Sequence, residues 1–559
     1  MPRNSLLSLL GLTVLLAAAC AGPASRQLVD EPEPLAKQQA QQASVRCEPG
    51  KEHWRSPGPP TRGGIFRRSG GYDVGGMNSI DLSAPERPNP GPIANVYGHL
   101  VTPRACYYED GAMEPDIANS WEVSLDGRTW TFRLKDGVRW HNKPPVNGRA
   151  FTAADVAWTI EHVKKGGGLR VYWDGVEHEE PDAHTVMLKL KEPDAEFLGK
   201  VGDPSNAMFP REVHEQYGDF KQVAIGTRSF MLKEFRPGQF SHVVRNPDWK
   251  EMGEDGKPLP YIDEIQAIVF GDYAAEVAAV RANQLDLNST TGFRKLEADA
   301  LRQANPKLQP FQDVAATPWG LWLNHRRKPL DDVRVRRAIS LAIDREEIIL
   351  RQGGGAVLAG FIPPAIGEFA WSQEKVREKF KADPETAKRL LQEAGYGPTQ
   401  LKLSMKSVVR YIQDAEVAQS QLKAAGIEVA LSNEGARSAN SILSEQGWDT
   451  VWSGQSPSST FADRWMSVWQ TGSSQNYLGF SDPEADRLIL AQRREIDPAK
   501  RKQLLDQLQD VLYDRAAYAP AISLVYYRFY SCQVKNMRPT HPSQNMEGIA
   551  RAWLDPTGC

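Results

Sequence analysis

An α/β fold of more than one domain is what this sequence predicts, and three observations carry the prediction. Between Asp383 and Leu431 a capped helix is followed by an alternating stretch, a second helix and a second alternating stretch. Strand, helix, strand with a crossover that long makes a parallel pair. Between Asp116 and Val163 two strands joined by a tight turn lead into a helix, the order of an antiparallel hairpin covered by a helix. At 559 residues the chain also exceeds what one hydrophobic core spans, so two or three domains are expected.

Composition excludes some functions. Charged residues make up 25% of the chain and the net charge is -3. Phosphate binding needs a concentrated basic surface, so nucleic acid is not an expected partner. Fifteen Trp, sixteen Tyr and eighteen Phe in a chain of mean hydropathy -0.49 describe a soluble protein with aromatic rings to spare. Most belong in cores, and a minority is available to line a cleft.

Taken in order, residues 1–19 carry Arg3 and then an apolar run from Leu6 to Ala19. That run is too short to span a bilayer and reads as a signal-peptide core. It ends LLAAAC, and small residues directly before a cysteine resemble the lipobox of bacterial lipoproteins. The resemblance implies cleavage before Cys20 and a diacylglycerol on its sulfur; a chance cysteine behind an ordinary secretory signal is the alternative. Residues 20–60, with EPEP, QQAQQA and SPGPP, are polar and without periodicity, a tether rather than a domain. Membrane contact is then expected through the lipid anchor alone. Four further cysteines, Cys47, Cys106, Cys532 and Cys559, suggest disulfides in an exported chain. Three pairings are possible; Cys532 with Cys559, pinning the C-terminus, is favoured, which leaves Cys47 with Cys106.

The globular body is expected to begin near Gly63. The glycines from Gly70 to Gly76 lack the Lys-Ser/Thr of a P-loop and the spacing of a dinucleotide fingerprint, so they read as a flexible backbone segment. In the hairpin region Trp121 and Val123 share a face. Asp126 and Gly127 supply the two φ > 0 positions of a two-residue turn, and Trp130, Phe132 and Leu134 line the return strand. Asp136-Gly137 is a second turn signal. Thr152 is the N-cap, Asp155 completes a capping-box-like pair, Phe151 staples against Val156, and Val156, Ile160 and Val163 form the buried stripe. The run 177-EHEE reads as a solvated acidic loop. No Cys or His spacing resembles a metal site, and no cofactor is expected.

Residues 181–193 read as a strand. Val335, Ala338, Ile339, Ala342 and Ile343 follow helical spacing, with Asp344 and Glu347 capping the next helix. Arg334, Arg336 and Arg337 are expected on a solvated or internally paired face. Asp383 as N-cap, Pro384 at the first position and Gly395 as stop bracket a helix. Leu401, Leu403 and Met405, then Ile427, Val429 and Leu431, are the two alternating stretches, with a helix ending at Gly426 between them. Trp465 and Trp469, four apart, are expected to pack in a core.

Several stretches carry a family resemblance. The order SWEVS-x-DG-x-TWTF-x-L-x-DGV-x-W-H…FTA-x-DV over Asp116–Val163 resembles the signature segment of the family 5 solute-binding proteins, the oligopeptide-, dipeptide- and nickel-binding receptors of ABC importers. The segments 226-GTRSFMLKEFRPGQFSHVVRNPDWK, 319-WGLWLNHRRKPLDDVRVRRAISLAIDREEII and 448-WDTVWSGQSPSSTFADRWMSVWQTGSSQNYLGFSDPEADRLI resemble further landmarks of that family, as does the late strand 519-APAISLVYYRFY. Arg228 and Ser229 stand where the family pattern has Gly-Pro.

The resemblance implies an α/β, two-lobed periplasmic-binding-protein-like fold of class II type, in the large form with an extra subdomain. Domain I would comprise residues 61–98, 224–316 and 525–559, domain II 99–223, and domain III, the second lobe, 317–524. It further implies an exported lipoprotein, a monomer, that captures a small solute between its lobes and hands it to membrane permease subunits. Aligned on Trp452 and Pro457, Gln455 stands where peptide-binding members carry the Asp that pairs with a peptide's α-ammonium, a cation that needs an opposed carboxylate when buried. Asp463 is close enough in sequence to substitute. Tyr72, Met77, Asn78, Trp319 and Trp452 complete the candidate ligand contacts. No G-x-S-x-G or H-E-x-x-H is present, so no catalytic residues are expected; a sensor or chaperone-like lipoprotein on the same fold is the alternative, and a secreted hydrolase a more distant one.

Overall fold

In a computed structural model of the chain, the described residues are 58–71, 93, 95–103, 113–165, 170–203, 206–288, 292–398, 400–435, 439–445, 447–454, 461–537 and 547–558. The chain opens with β1 (Ile65–Gly71) and passes through two short strands, β2 (Val101–Pro103) and β3 (Met113–Pro115). The hairpin region gives β4 (Ala118–Val123) and β5 (Thr129–Leu134), then a helix over Ala153–Lys165, then β6 (Glu177–Asp182) and β7 (Thr185–Lys189). Next come β8 (Phe230–Arg236), β9 (Phe240–Arg245) and β10 (Glu264–Val269), the last followed by helices over Tyr273–Arg281 and Lys295–Ala304. A long strand, β11 (Gln309–Leu323), leads to β12 (Ala356–Leu358), β13 (Leu401–Ser407), β14 (Ile427–Asn433) and β15 (Thr450–Gly454), with helices between them. A second long strand, β16 (Ala519–Tyr530), and two short ones, β17 (Val534–Lys535) and β18 (Trp553–Leu554), finish the chain.

Among the described residues three larger sheets result. One has the order β1-β10-β9-β8, a second β4-β5-β7-β6, and a third, six-stranded, β12-β16-β11-β15-β13-β14. The expected parallel pair is β13 with β14, in a register that sets Leu401 against Ile427 and Met405 against Leu431. Its bracketing helix, Pro384–Glu393, is capped as its sequence predicts: the Asp383 carboxylate accepts from the Thr386 N–H at 2.9 Å, and Gly395 ends it at φ 92°.

The first lobe contains the β1-β10-β9-β8 and β4-β5-β7-β6 sheets around a shared core that includes Phe66, Phe132, Val156, Ile160, Val163, Val243 and Ile265. A smaller cluster on the helices Tyr273–Arg281 and Lys295–Ala304 extends it, with Val314, Val525 and Phe529. The six-stranded sheet builds the second lobe around Leu321, Val335, Ile339, Met405, Trp448 and Val451. Trp469 lies in this core and stacks on Trp322, 6.0 Å between ring centroids.

Two local expectations are corrected. Of Asp126 and Gly127 only Gly127 has positive φ, at 70°, so the hairpin does not close by a two-residue turn. The Gly127 N–H donates to the Ser124 carbonyl at 2.8 Å, and the Asp126 carboxylate accepts from the Ser124 hydroxyl and the Arg128 N–H. A side chain that satisfies its own loop this way holds a wider turn. The EHEE run is an edge strand, β6, rather than a loop; it pairs with β7, and its His178 ring binds Glu180 and Glu161. Among the basic residues, Arg334 pairs with Asp332. Arg336 instead is buried and donates to the carbonyls of Leu330, Asp331, Arg515 and Ala516.

Candidate functional site

The two lobes are joined through β11 and β16, which pair antiparallel along most of their length. Within β11, Val314 belongs to a first-lobe core and Ala315 and Trp319 to the second; within β16, Val525 lies in the first and Leu524 and Ile522 in the second. The pairing register shifts between Val314 and Pro318. A bulge in a ladder bends the strand locally, and here it coincides with the change of core.

On the second-lobe side of this crossing, the Trp319 ring lies 3.5 Å, centroid to centroid, from Tyr411. Arg294 of the first lobe stands 5.8 Å over Tyr411 and donates to the Gln352 side chain at 3.3 Å. Gln352 in turn donates to Asp414, a carboxyl that burial pushes above its ordinary value although Arg294 opposes the shift. Trp452, expected at the cleft wall, is instead fully buried inside the second lobe. Its strand β15 lies between β11 and β13, and every residue of β15 is buried. Among the described residues neither indole N–H, of Trp319 or of Trp452, has a hydrogen-bond partner.

Asp463 was expected as a carboxylate for a ligand's ammonium. It is buried and already saturated: it accepts from Lys200 at 3.0 Å, Gln492 at 2.8 Å and Arg493 at 2.9 Å. Burial alone would raise its pKa, but Lys200 and Arg493 hold it well below the usual carboxylate range. Lys200 also binds Asp194 at 2.6 Å. Beside it the Glu196 carboxylate accepts from the Asp463 N–H at 2.9 Å and from the Arg501 guanidinium. Asp194, Glu196 and Lys200 belong to the first lobe, whereas Asp463, Arg493 and Arg501 belong to the second. Next to these groups a hollow of about 920 Å³ opens between the lobes, walled by Tyr172, Phe197 and Lys200 on one side and Asp463, Gln470 and Tyr477 on the other. That volume is in the range of sites that enclose a small ligand.

A second polar cluster ties the signature hairpin to the segment 226–229. Asp116 accepts from the Arg228 guanidinium at 3.0 Å and from the His99 N–H at 2.8 Å. Burial would raise that carboxyl too, yet Arg228 holds it far below its ordinary value. The His141 ring accepts from the Gly226 N–H at 3.1 Å and reaches the Arg228 carbonyl at 2.9 Å. Gly226 is required here, because a Cβ would stand 1.9 Å from the Val96 carbonyl oxygen. The Arg228 departure from the family pattern therefore sits within the first lobe and not at the β11/β16 crossing.

Tyr72, Met77, Asn78 and Gln455 lie outside the described residues, as do Cys20, Cys47, Cys106 and Cys559. Cys532 is disulfide-bonded, and its partner is also outside them. Among the described residues no cluster of His, Cys, Asp or Glu could hold a metal ion, and no helix is long and apolar enough to cross a membrane. Sequence reasoning missed Arg294, Tyr411, Glu196, Lys200, Arg493 and Arg501. Each is an ordinary surface-type residue in its own segment, and only the tertiary fold brings it to the seam.

Residues 112–477 match the bacterial extracellular solute-binding proteins of family 5. The dipeptide-binding protein of Escherichia coli is 29% identical over 310 residues, which is 50% of this chain and 55% of that one, so the alignment spans about half of that relative. Two solved structures share the fold. The periplasmic binding protein DppA of Helicobacter pylori, in complex with the peptide STSA, has a TM-score of 0.72 at 22% identity over 90% of this chain and 99% of its own. NikA of Staphylococcus aureus, in complex with Ni(L-His)2, has a TM-score of 0.72 at 18% identity over 88% and 100%. With a sequence match over more than half its length and a two-lobed fold crossed by paired strands, the chain belongs to the family 5 extracellular solute-binding proteins.

Proposed function

We propose that this protein is the substrate-binding lipoprotein of an ABC importer: it captures a small solute between its lobes and delivers it to a membrane permease. The observation that carries the reading is the seam itself, a hollow of about 920 Å³ walled by both lobes and reached by closure about two strands shared between them. Binding in such a seam joins surfaces that opening separates, so a ligand shifts the population toward the closed form without any bond being made or broken. The favoured ligand is a peptide or peptide-like compound; Trp319, Tyr72, Met77, Asn78 and Gln455 are its candidate contacts, joined by Tyr172, Phe197, Gln470 and Tyr477 of the hollow's walls. Asp463 is not proposed as its ammonium partner, since its oxygens are already shared among Lys200, Gln492 and Arg493. The three-domain division, the monomeric state, the absence of catalysis, the lipid on Cys20 and the Cys532–Cys559 pairing belong to the same proposal.

The test is mass spectrometry of compounds released when the purified protein is denatured. Mixed short peptides are expected. A metal chelate, or a single sugar or opine-like compound, would overturn the peptide assignment and leave solute capture standing.

A further inference from the structure

Besides β11, β16 and the Arg294 contact with Tyr411 and Gln352, the lobes meet through a further contact made by side chains. Phe461 belongs to the second lobe in sequence but is buried in the core of the first. Its ring lies on Gly199 so closely that a Cβ there would stand 2.2 Å from Phe461 Cε1. Around this knob run the Glu196–Arg501 and Lys200–Asp463 pairs, and the Ala195 N–H donates to the Arg493 carbonyl at 2.8 Å. At the hairpin tip, a Cβ on Gly127 would meet Ile496 of the second lobe at 3.0 Å.

The charges of this contact balance within it: Asp194, Glu196 and Asp463 against Lys200, Arg493 and Arg501. They are also divided so that each half survives separation. Parting the lobes leaves Lys200 with Asp194, and Asp463 with Arg493 and Gln492. Arg501 keeps the Gln492 side chain at 3.0 Å. Glu196 and Arg501 lose each other as charge partners, Arg501 keeping only that neutral amide. A permanent core joint would strand every buried ion on opening; here Lys200, Asp463 and Arg493 keep charge partners on their own side.

We propose that the Glu196–Arg501 and Lys200–Asp463 pairs, with Phe461 seated on Gly199, form a reversible latch that sets the open–closed balance of the ligand-free protein. It rests on the proposal that the seam opens around a solute. Ligand affinity is then tuned through the lobe–lobe equilibrium itself, because stabilising the closed form lowers what the ligand must supply.

The backbone supplies its own probes, the N–H groups of Ala195 and Asp463, whose acceptors lie across the seam. Hydrogen–deuterium exchange is measured on exhaustively dialysed protein, for the native sequence and for Glu196→Gln and Lys200→Met. Peptides covering Ala195 and Asp463 are expected to exchange about tenfold faster or more in both variants, with β9 and β13 unchanged and a larger radius of gyration in X-ray scattering. Native rates at both probes in both variants overturn the latch. So does acceleration spread equally through β9 and β13, which makes these residues fold supports. No ligand enters this measurement, so a failure to recover any bound solute bears on the receptor proposal alone.

Discussion

His141 shows how one side chain can connect a sequence signature to a fold. It ends the aromatic run of the hairpin region, and it is wholly enclosed between the Gly226 N–H and the Arg228 carbonyl. Accepting at Nδ1 and donating at Nε2 requires the neutral ring. Burial first, with Lys143 adding to it, pushes its pKa down from 6.5 to about 4. The folded pKa is depressed, so the ring stabilises the fold fully above pH 6.5 and progressively less as pH falls toward 4. Between pH 7.5 and pH 5 the native protein should lose about 2 kcal/mol through this group alone. Denaturant unfolding at the two pH values checks this: His141→Gln is less stable at pH 7.5 and loses correspondingly less on acidification. Parallel losses in the two proteins would place the acid sensitivity elsewhere. Nothing in the sequence around Trp140-His141 announces this role, because both partners are backbone groups some 85 residues further on.

At the scale of elements, the helix Ala153–Lys165 was legible in its buried stripe and in one half of its capping pair. Val156, Ile160 and Val163 are its buried stripe, and the Thr152 N–H donates to the Asp155 carboxylate at 2.9 Å, as a capping pair should. Arg149 grips the same carboxylate at 2.7 Å, which the local pattern does not reveal. Such patterns are readable because helix caps and periodicity act within a few residues. The wider turn at Ser124–Arg128 was not, since Asp-Gly suits more than one loop and the Asp126 side chain decides between them. The buried position of Trp452 was illegible for another reason: two neighbouring strands cover β15, and strand order is not written in any one segment. If the hairpin and this helix are scaffold, Ile160→Ala should cost about 2–4 kcal/mol of first-lobe stability while the protein still copurifies with the same compounds. A changed set of compounds at unchanged stability would make the helix part of ligand choice.

At the scale of the molecule, the globular body and the expected anchor are physically separate problems. Residues 20–60 carry no periodic apolar pattern, and the proposed tether would add reach and not packing. One lipidated cysteine with its acyl chains would suffice to hold the body at a surface. Cys20→Ser is therefore expected to lose lipid label and move to the soluble fraction of the envelope, with an unaltered melting temperature. Retained label would sink the lipoprotein assignment.

The shared strands β11 and β16 have a mechanical consequence. A pair of hydrogen-bonded strands yields readily to flexing across its plane and resists both stretching and shear in it, so it works as a leaf spring rather than a string. If the seam opens as proposed, lobes mounted on it would have essentially one degree of freedom, and the return stroke would bring Phe461 back to Gly199 without a search.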